Sequence, residues 1–210
     1  MTAADLDAFD RLRMATIVDL RRVGERERWP GPRRSLHLPL RSTVLTDTDP
    51  ANLADEAAAH RWLRNDYLWM LTESAPDIGL VFNHVAQPEA RPTVFHCMSG
   101  KDRTGLISAL LLLVLGVDID TVLDDYEHTN ANLDLDHIGT VVAEFERIGI
   151  PVVAGHALLR CARPAMADAL EFATARPGGI EAFLQRRAGV TKETIRALQS
   201  ALLTTGIPGT

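Results

Sequence analysis

Cysteine is scarce in this chain of 210 residues: Cys97 and Cys161 are too few and too far apart for a disulfide framework. Long hydrophobic runs are also lacking, because the longest, residues 106–115, falls well short of the roughly 20 residues that span a bilayer. The first residues lack the basic and apolar segments of a secretion signal. We therefore expect no membrane span and a reducing, cytoplasmic setting.

An excess of basic charge is missing too, since the formal net charge is −6. This charge argues against a nucleic acid polymer or an anionic membrane as the main partner. One basic cluster has two interpretations, a solvated helix end with its loop or a rim that attracts phosphorylated substrates, and the first is favoured; its members are Arg21, Arg22, Arg26, Arg28, Arg33 and Arg34. No metal or cofactor is expected, because metal-ligand spacing is absent among five histidines, His60, His84, His128, His137 and His156.

Residues 96–105, His-Cys-Met-Ser-Gly-Lys-Asp-Arg-Thr-Gly, lie between a short β-rich run and an apolar helix pattern. A strand that enters a loop and then a helix directs several backbone N–H groups into one concavity, and the helix N-terminus adds positive charge. That field binds an anion and favours a thiolate, so Cys97 is predicted to be a nucleophile. The planar guanidinium of Arg103 can hold two phosphate oxygens. Phosphoryl transfer needs little more than these two elements.

The rest of the chain predicts one α/β domain over residues 1–210, with a small, mostly parallel central sheet flanked by helices and a helix-rich C-terminal half. Residues 15–18 form a predicted buried strand, and Asp19 and Arg21 follow at its C-terminal end, where open α/β sheets place functional groups. An edge strand is predicted at residues 36–40. Predicted helices lie near residues 6–12, 53–73, 78–85, 106–115, 122–126, 138–148, 165–175, 179–189 and 191–203.

The stretch His96 to Gly105 resembles the signature loop of cysteine-dependent protein tyrosine phosphatases, in the form found in their bacterial and fungal subfamily. Residues 18–27 resemble that subfamily's first strand and its charged continuation. Residues 125–130 and 178–184 resemble its C-terminal helices, so the similarity covers most of residues 15–203. The resemblance implies a phosphomonoester hydrolase that works through a cysteinyl-phosphate without a metal.

The resemblance also implies roles within the loop. Cys97 would attack phosphorus, and Arg103 would bind the phosphate in the ground and transition states. His96 would help to set the cysteine, and Thr104 would hydrogen-bond the departing thiolate. Lys101 would supply a second cation, which favours highly charged or crowded phosphates. The implied phosphate-binding set is Cys97, Met98, Ser99, Gly100, Lys101, Asp102 and Arg103.

The general acid has two candidates, Asp102 in the loop and Asp19 at the strand end. Either could protonate the leaving oxygen if an apolar pocket keeps it protonated, whereas Asp19 could instead only anchor Arg21 or the loop through hydrogen bonds. The position of Asp102 within the loop favours it as the general acid, because the acid must lie within hydrogen-bond reach of the substrate oxygen. Residues 29–31, Trp-Pro-Gly, look like the Trp-Pro-Asp acid loop of most tyrosine phosphatases, but glycine cannot donate a proton, so we interpret the match as coincidence.

The chain also departs from the subfamily. It starts almost at the first predicted helix, and residues 42–90 leave little room for a large lid, so we expect a more open pocket or one completed by another subunit. The group of Trp62, Tyr67 and Trp69 is expected in the core, with the lining of a substrate pocket as the alternative. Cys161 is expected to be a small core residue.

Three functions stay open. The first is hydrolysis of phosphotyrosine or related phosphate monoesters, phosphoinositides included, on proteins or lipids. The second is removal of phosphate from a sugar, nucleoside or natural-product intermediate, which the acidic charge, the lack of a secretion signal and the short N-terminus favour. The third is a non-catalytic phospho-binding module, against which the intact Cys97 and Arg103 argue. The oligomeric state has no signature in the sequence.

Overall fold

The computed structural model describes residues 7, 9–31, 35–43 and 45–203. Its sheet has three strands, β1 (Thr16–Asp19), β2 (Ser35–His37) and β3 (Thr93–His96), in the order β2-β1-β3. Both pairings are parallel, and Asp19 is in register with His37 on one side and His96 on the other. The carboxyl ends of all three strands therefore meet at one edge, directly beneath the residues that follow β3.

The predicted helix-rich α/β architecture is confirmed. Helices make up most of the described residues. In chain order, the α-helices are α1 (Val23–Arg28), α2 (Glu56–Glu73), α3 (Ala75–Val85), α4 (Asp102–Val114), α5 (Ile119–His128), α6 (Leu135–Arg147), α7 (Val152–Leu159), α8 (Arg163–Thr174), α9 (Gly179–Phe183, continuing as a π-helical turn over Leu184–Ala188) and α10 (Lys192–Leu202). Within the described ranges, no helix has the length and apolar character required to cross a membrane.

Helix α4 carries the core behind the loop. It is apolar on most of its circumference, as expected of a helix surrounded by other elements, and it buries Leu106, Ile107 and Leu110 almost completely. Helix α2 also belongs to this core, and it packs against α7 and α8. One continuous apolar cluster thus joins the sheet, α2, α4 and the C-terminal helices.

Several local predictions agree with the structure. Thr191 caps α10 by accepting a hydrogen bond from the Thr194 amide, and Pro164 stands in the first turn of α8. The edge strand is shorter than predicted, ending at His37, although the Leu38 and Leu40 amides still donate to the main-chain oxygens of Asp19, at the end of β1, and of Leu20. The sequence did not predict α1 and α7. Of the predicted first helix, residues 9–11 are helical, and residue 6 lies outside the described residues.

Candidate active site

The loop between β3 and α4 has the predicted strand–turn–helix form. Gly100 has φ +66°, a left-handed conformation that glycine adopts without steric cost. Cys97 is only 6% exposed, whereas Ser99 and Gly100 are exposed. Within the described part of the chain, none of the amides of residues 98–101 donates to another group. These amides and the N-terminus of α4 are therefore available to an anion above Cys97.

Arg103 is bound by a carboxylate that the sequence did not identify as a site residue. Its guanidinium makes two parallel hydrogen bonds to Glu25 of α1, at 2.6 and 2.9 Å. Burial opposes ionisation of Glu25, but the hydrogen bonds from Arg103 and Arg22 outweigh it and lower the pKa of Glu25 to about 2. Glu25 therefore stays charged and fixes the orientation of the guanidinium.

Asp19 is also bound to arginine. Its side chain is fully buried, and it accepts hydrogen bonds from the Arg21 amide (3.0 Å) and from Nε (2.9 Å) and Nη2 (2.8 Å) of the same residue. Although burial disfavours its charge, the bonds from Arg21 outweigh it and lower the pKa of Asp19. This geometry matches the anchoring alternative. The interpretation of the basic cluster as solvated is wrong for Arg21, which is buried.

The Trp-Pro-Gly segment takes part in the same contacts. Arg21 donates to the main-chain oxygen of Trp29 at 2.7 Å. A Cβ atom on Gly31 would lie 2.6 Å from Nη2 of Arg21, so a side chain there would displace the guanidinium. The glycine at this position thus serves the Arg21–Asp19 pair, which supports the view that the match to an acid loop is coincidental.

Asp102 has different partners. Its Oδ1 accepts a hydrogen bond from the Tyr67 hydroxyl at 2.5 Å and lies 2.9 Å from Nζ of Lys101. Lys101 is buried, and its ammonium also donates to the carbonyls of Leu158 (2.8 Å) and Arg160 (3.1 Å) at the end of α7. The positive charge of Lys101 therefore ties the loop to the C-terminal end of α7, where the helix dipole favours a cation.

His96 and Thr104 have fewer contacts. Nδ1 of His96 lies 3.1 Å from the Cys97 carbonyl oxygen, and its Nε2 is 4.0 Å from Oδ1 of Asp19. Nε2 of His96 and Oγ1 of Thr104 are buried without a hydrogen-bond partner among the described residues. Each side chain thus keeps one buried polar atom that is free to take a new partner.

A cavity of about 180 Å³ opens beside the loop. Trp62 and Asp66 of α2, Lys101 and Asp102 of the loop, and Phe145 and Leu158 of α6 and α7 all line it. Trp62 therefore lines a pocket, the alternative left open for it, while Tyr67 is a core residue as expected. On this side of the pocket, α6 and α7, which follow the loop in sequence, supply a wall that the sequence did not predict.

Asp66 is a second site residue that the sequence analysis missed. It is 5% exposed, and Oδ1 accepts hydrogen bonds from the amide and hydroxyl of Thr43, both at 2.6 Å. Burial raises the pKa of Asp66 despite these bonds. Its only sequence signal was a polar residue four positions after Trp62, on the face of α2 that also carries Leu63 and Tyr67.

A shallower hollow of about 600 Å³ adjoins this cavity. It is lined by Arg22, Arg28 and Trp29 near α1, by Met98 of the loop and by Phe145. Phosphate bound over Cys97 would therefore have the cavity with Asp66 and Asp102 on one side and the wider, mostly apolar hollow with two arginines on the other. Within the described ranges, histidine, cysteine and carboxylate side chains form no group of three that could hold a metal ion.

The resemblance to tyrosine phosphatases extends over nearly the whole chain. A family model described as "Tyrosine phosphatase family" matches residues 1–204. A tyrosine-protein phosphatase of Nostoc commune is 30% identical over 128 residues, which are 60% of this chain and 44% of that protein. The triple specificity protein phosphatase PtpB of Mycobacterium tuberculosis is 34% identical over 73 residues, 35% of this chain and 26% of PtpB. These matches thus cover less than half the length of each relative.

Proposed function

The chain belongs to the tyrosine phosphatase family, and we propose that it hydrolyses phosphate monoesters through a cysteinyl-phosphate intermediate, within one domain. The observation that carries the proposal is the meeting of three groups on one anion-binding loop. These are the buried Cys97, Arg103 with its guanidinium fixed by Glu25, and Asp102 at the wall of a cavity. A binding module would need the anion site but not the nucleophile or the proton donor.

In the first step, Sγ of Cys97 attacks phosphorus in line with the ester oxygen. The S–P bond forms as the P–O bond breaks, and the electron pair of that bond goes to the leaving oxygen. Asp102 transfers its proton to this oxygen, so the alcohol or phenol leaves neutral. Arg103 and the loop amides bind the equatorial oxygens, where charge must be stabilised in the transition state.

In the second step, a water molecule attacks the phosphorus of the cysteinyl-phosphate. Asp102, now a carboxylate, accepts a proton from this water, and the S–P bond breaks with its electron pair returning to Cys97. The products are inorganic phosphate and the regenerated enzyme, and no step involves a change in oxidation state. The hydroxyl of Thr104 is buried without a partner among the described residues, so we assign to it the hydrogen bond to the departing thiolate.

The inner cavity supports a small substrate as the second candidate function. Its volume of about 180 Å³ is close to the roughly 150 Å³ of an apolar cavity that holds one benzene ring. One phosphorylated ring would therefore fill it, with Asp66 available to accept a hydrogen bond from a hydroxyl or amino group on that ring. A phosphotyrosine side chain would instead place its ring here and its peptide over the mostly apolar outer hollow. A cytoplasmic setting suits both, and it is supported by the two free cysteines.

Phosphate release from a generic aryl phosphate tests the reaction, in the presence of a chelator. We expect release by the wild type and complete loss in Cys97→Ser, and release that survives in Cys97→Ser would overturn the proposal. A panel of phosphotyrosine peptides and of phosphorylated rings with and without an added hydroxyl then separates the two substrate classes. If the substrate is a small ring, Asp66→Asn should reduce the preference for the hydroxylated members while leaving peptides unaffected.

A further inference from the structure

The chain contains only two tyrosines, and they form a hydrogen-bonded pair behind the loop. The hydroxyls of Tyr67 and Tyr126 lie 2.6 Å apart, and the rings meet edge to face with centroids 6.4 Å apart. We propose that this pair positions the carboxyl group of Asp102 for proton transfer, so that Tyr67 and Tyr126 are positioning residues of the reaction. The inference rests on the proposed function and adds to it the device that orients the acid.

The direction of the hydrogen bonds follows from counting protons. A tyrosine hydroxyl has one proton, and burial raises the pKa of both phenols above its usual value, so both keep that proton. Tyr67 gives its proton to Oδ1 of Asp102. It can therefore only accept from Tyr126, whose own proton completes the chain. The order Tyr126 to Tyr67 to Asp102 is thus fixed.

The same contacts decide which carboxyl oxygen is free to react. Oδ1 of Asp102 is engaged by Tyr67 at 2.5 Å and by Lys101 at 2.9 Å. Two donors on one oxygen hold the carboxyl plane, leaving Oδ2 as the oxygen that carries the transferable proton. Because Asp102 lines the cavity, this arrangement presents Oδ2 to the leaving group. Proton transfer needs such alignment within hydrogen-bond reach.

The last glycine of the loop motif supports the assignment independently. A Cβ atom on Gly105 would lie 2.9 Å from Cδ2 and 3.0 Å from Cε2 of Tyr126. The ring of Tyr126 therefore packs directly on the backbone of α4, three residues after Asp102. A glycine at this position is needed for Tyr126 to approach, which links the end of the motif to the acid near its centre.

A set of variants assayed with aryl phosphates of good and poor leaving groups tests the proposal. Tyr67→Phe keeps the ring and removes the proton donor. We expect kcat to fall about 10-fold for poor leaving groups, the scale of one charge-assisted hydrogen bond, with little change for good ones and an unchanged KM. Combined with Asp102→Asn, Tyr67→Phe should cause no further loss, because there is no longer an acid to position.

Tyr126→Phe serves as the second variant, with a smaller loss of the same kind, since it acts one hydrogen bond further away. Phe82→Leu is the matched control, because Phe82 is a buried aromatic residue of α3 outside the site, so it should lower thermal stability without changing the leaving-group dependence. An equal loss for all esters, or a loss that persists in the Asp102→Asn background, would overturn the positioning role. Failure of the proposed function would give a different result, because phosphate release would then persist in the Cys97→Ser variant.

Discussion

Two aspartates flank the proposed phosphate site, and they are held in opposite ways. Asp19 is fully buried and its two oxygens are bound by Arg21, at 2.9 and 2.8 Å. Asp102 is bound on one oxygen only, by a tyrosine hydroxyl and an ammonium, and its side chain is 30% exposed. Both oxygens of Asp19 are thus occupied by arginine, whereas Oδ2 of Asp102, a residue that lines the cavity, has no partner among the described residues.

The comparison extends to what each aspartate supports. Asp19 belongs to a cationic side, in which Arg21 and the Glu25–Arg103 pair hold the sheet edge and the phosphate-binding guanidinium in place. Asp102 belongs to a hydroxyl side, formed with Tyr67 and Tyr126. The structure thus separates two tasks, fixing charge under the phosphate and presenting a proton beside it.

The largest expected effect on stability comes from the cationic side. Asp19→Asn leaves Arg21 buried without its counterion, and breaking a buried ion pair on one side costs about 3–5 kcal/mol of the free energy of unfolding. Asp77→Asn is the matched control, because its pair with Arg41 is largely exposed, and such pairs contribute at most about 1 kcal/mol. Chemical denaturation measures both. Equal losses in the two variants would mean that Asp19 is not an anchor.

A smaller effect is expected on the hydroxyl side. Gly105→Ala forces a methyl group against the Tyr126 ring, and such overpacking costs about 1–3 kcal/mol. Gly139→Ala in α6 is the control, because nothing lies within 4 Å of the added Cβ, so helix propensity should raise stability by about 0.5–1 kcal/mol. The two substitutions are chemically identical and should change the free energy of unfolding in opposite directions. A gain in both would show that Tyr126 does not pack on Gly105 as described.

The last expected effect on stability is a pH dependence on the cationic side. Glu25 has its pKa lowered from 4.5 to about 2, so its contribution to stability is fully present above pH 4.5 and is lost as the pH falls toward 2. Glu25→Gln should therefore flatten the decline of stability over this range. Glu27→Gln, an exposed neighbour on α1, should leave the decline as in the wild type. Thermal unfolding at several pH values checks this, and an unchanged decline in Glu25→Gln would argue against the pair with Arg103.

The features that could be predicted from the sequence are those that a pattern of neighbouring residues determines. Strand β3, the loop and α4 follow from a β-rich run, a glycine and an apolar helix pattern in succession, and the cap at Thr191 follows from its position before an amphipathic helix. The resemblance of the loop then limited the candidate nucleophile and phosphate-binding residues to a few positions. All of these are signals carried by neighbouring residues.

What the sequence did not predict depends on contacts between distant segments. Glu25 meets Arg103 across 78 positions, and Tyr67 meets Asp102 across 35. Neither contact has a local signature, because Glu25 lies in a run of four charged residues and Tyr67 in a helix of ordinary apolar spacing. The wall formed by α6 and α7 has no local signature for the same reason, because its residues Phe145 and Leu158 lie at least 40 positions after the loop.

The division between the two aspartates is tested most directly by the leaving-group dependence of two variants. We predict that Asp102→Asn lowers kcat by roughly 10²–10⁴ for aryl phosphates with poor leaving groups, the usual contribution of a general acid, and only slightly for good ones. Asp19→Asn, assayed at a temperature where it is folded, should show no such dependence. The opposite pattern, with the selective loss in Asp19→Asn and a uniform effect in Asp102→Asn, would contradict the account.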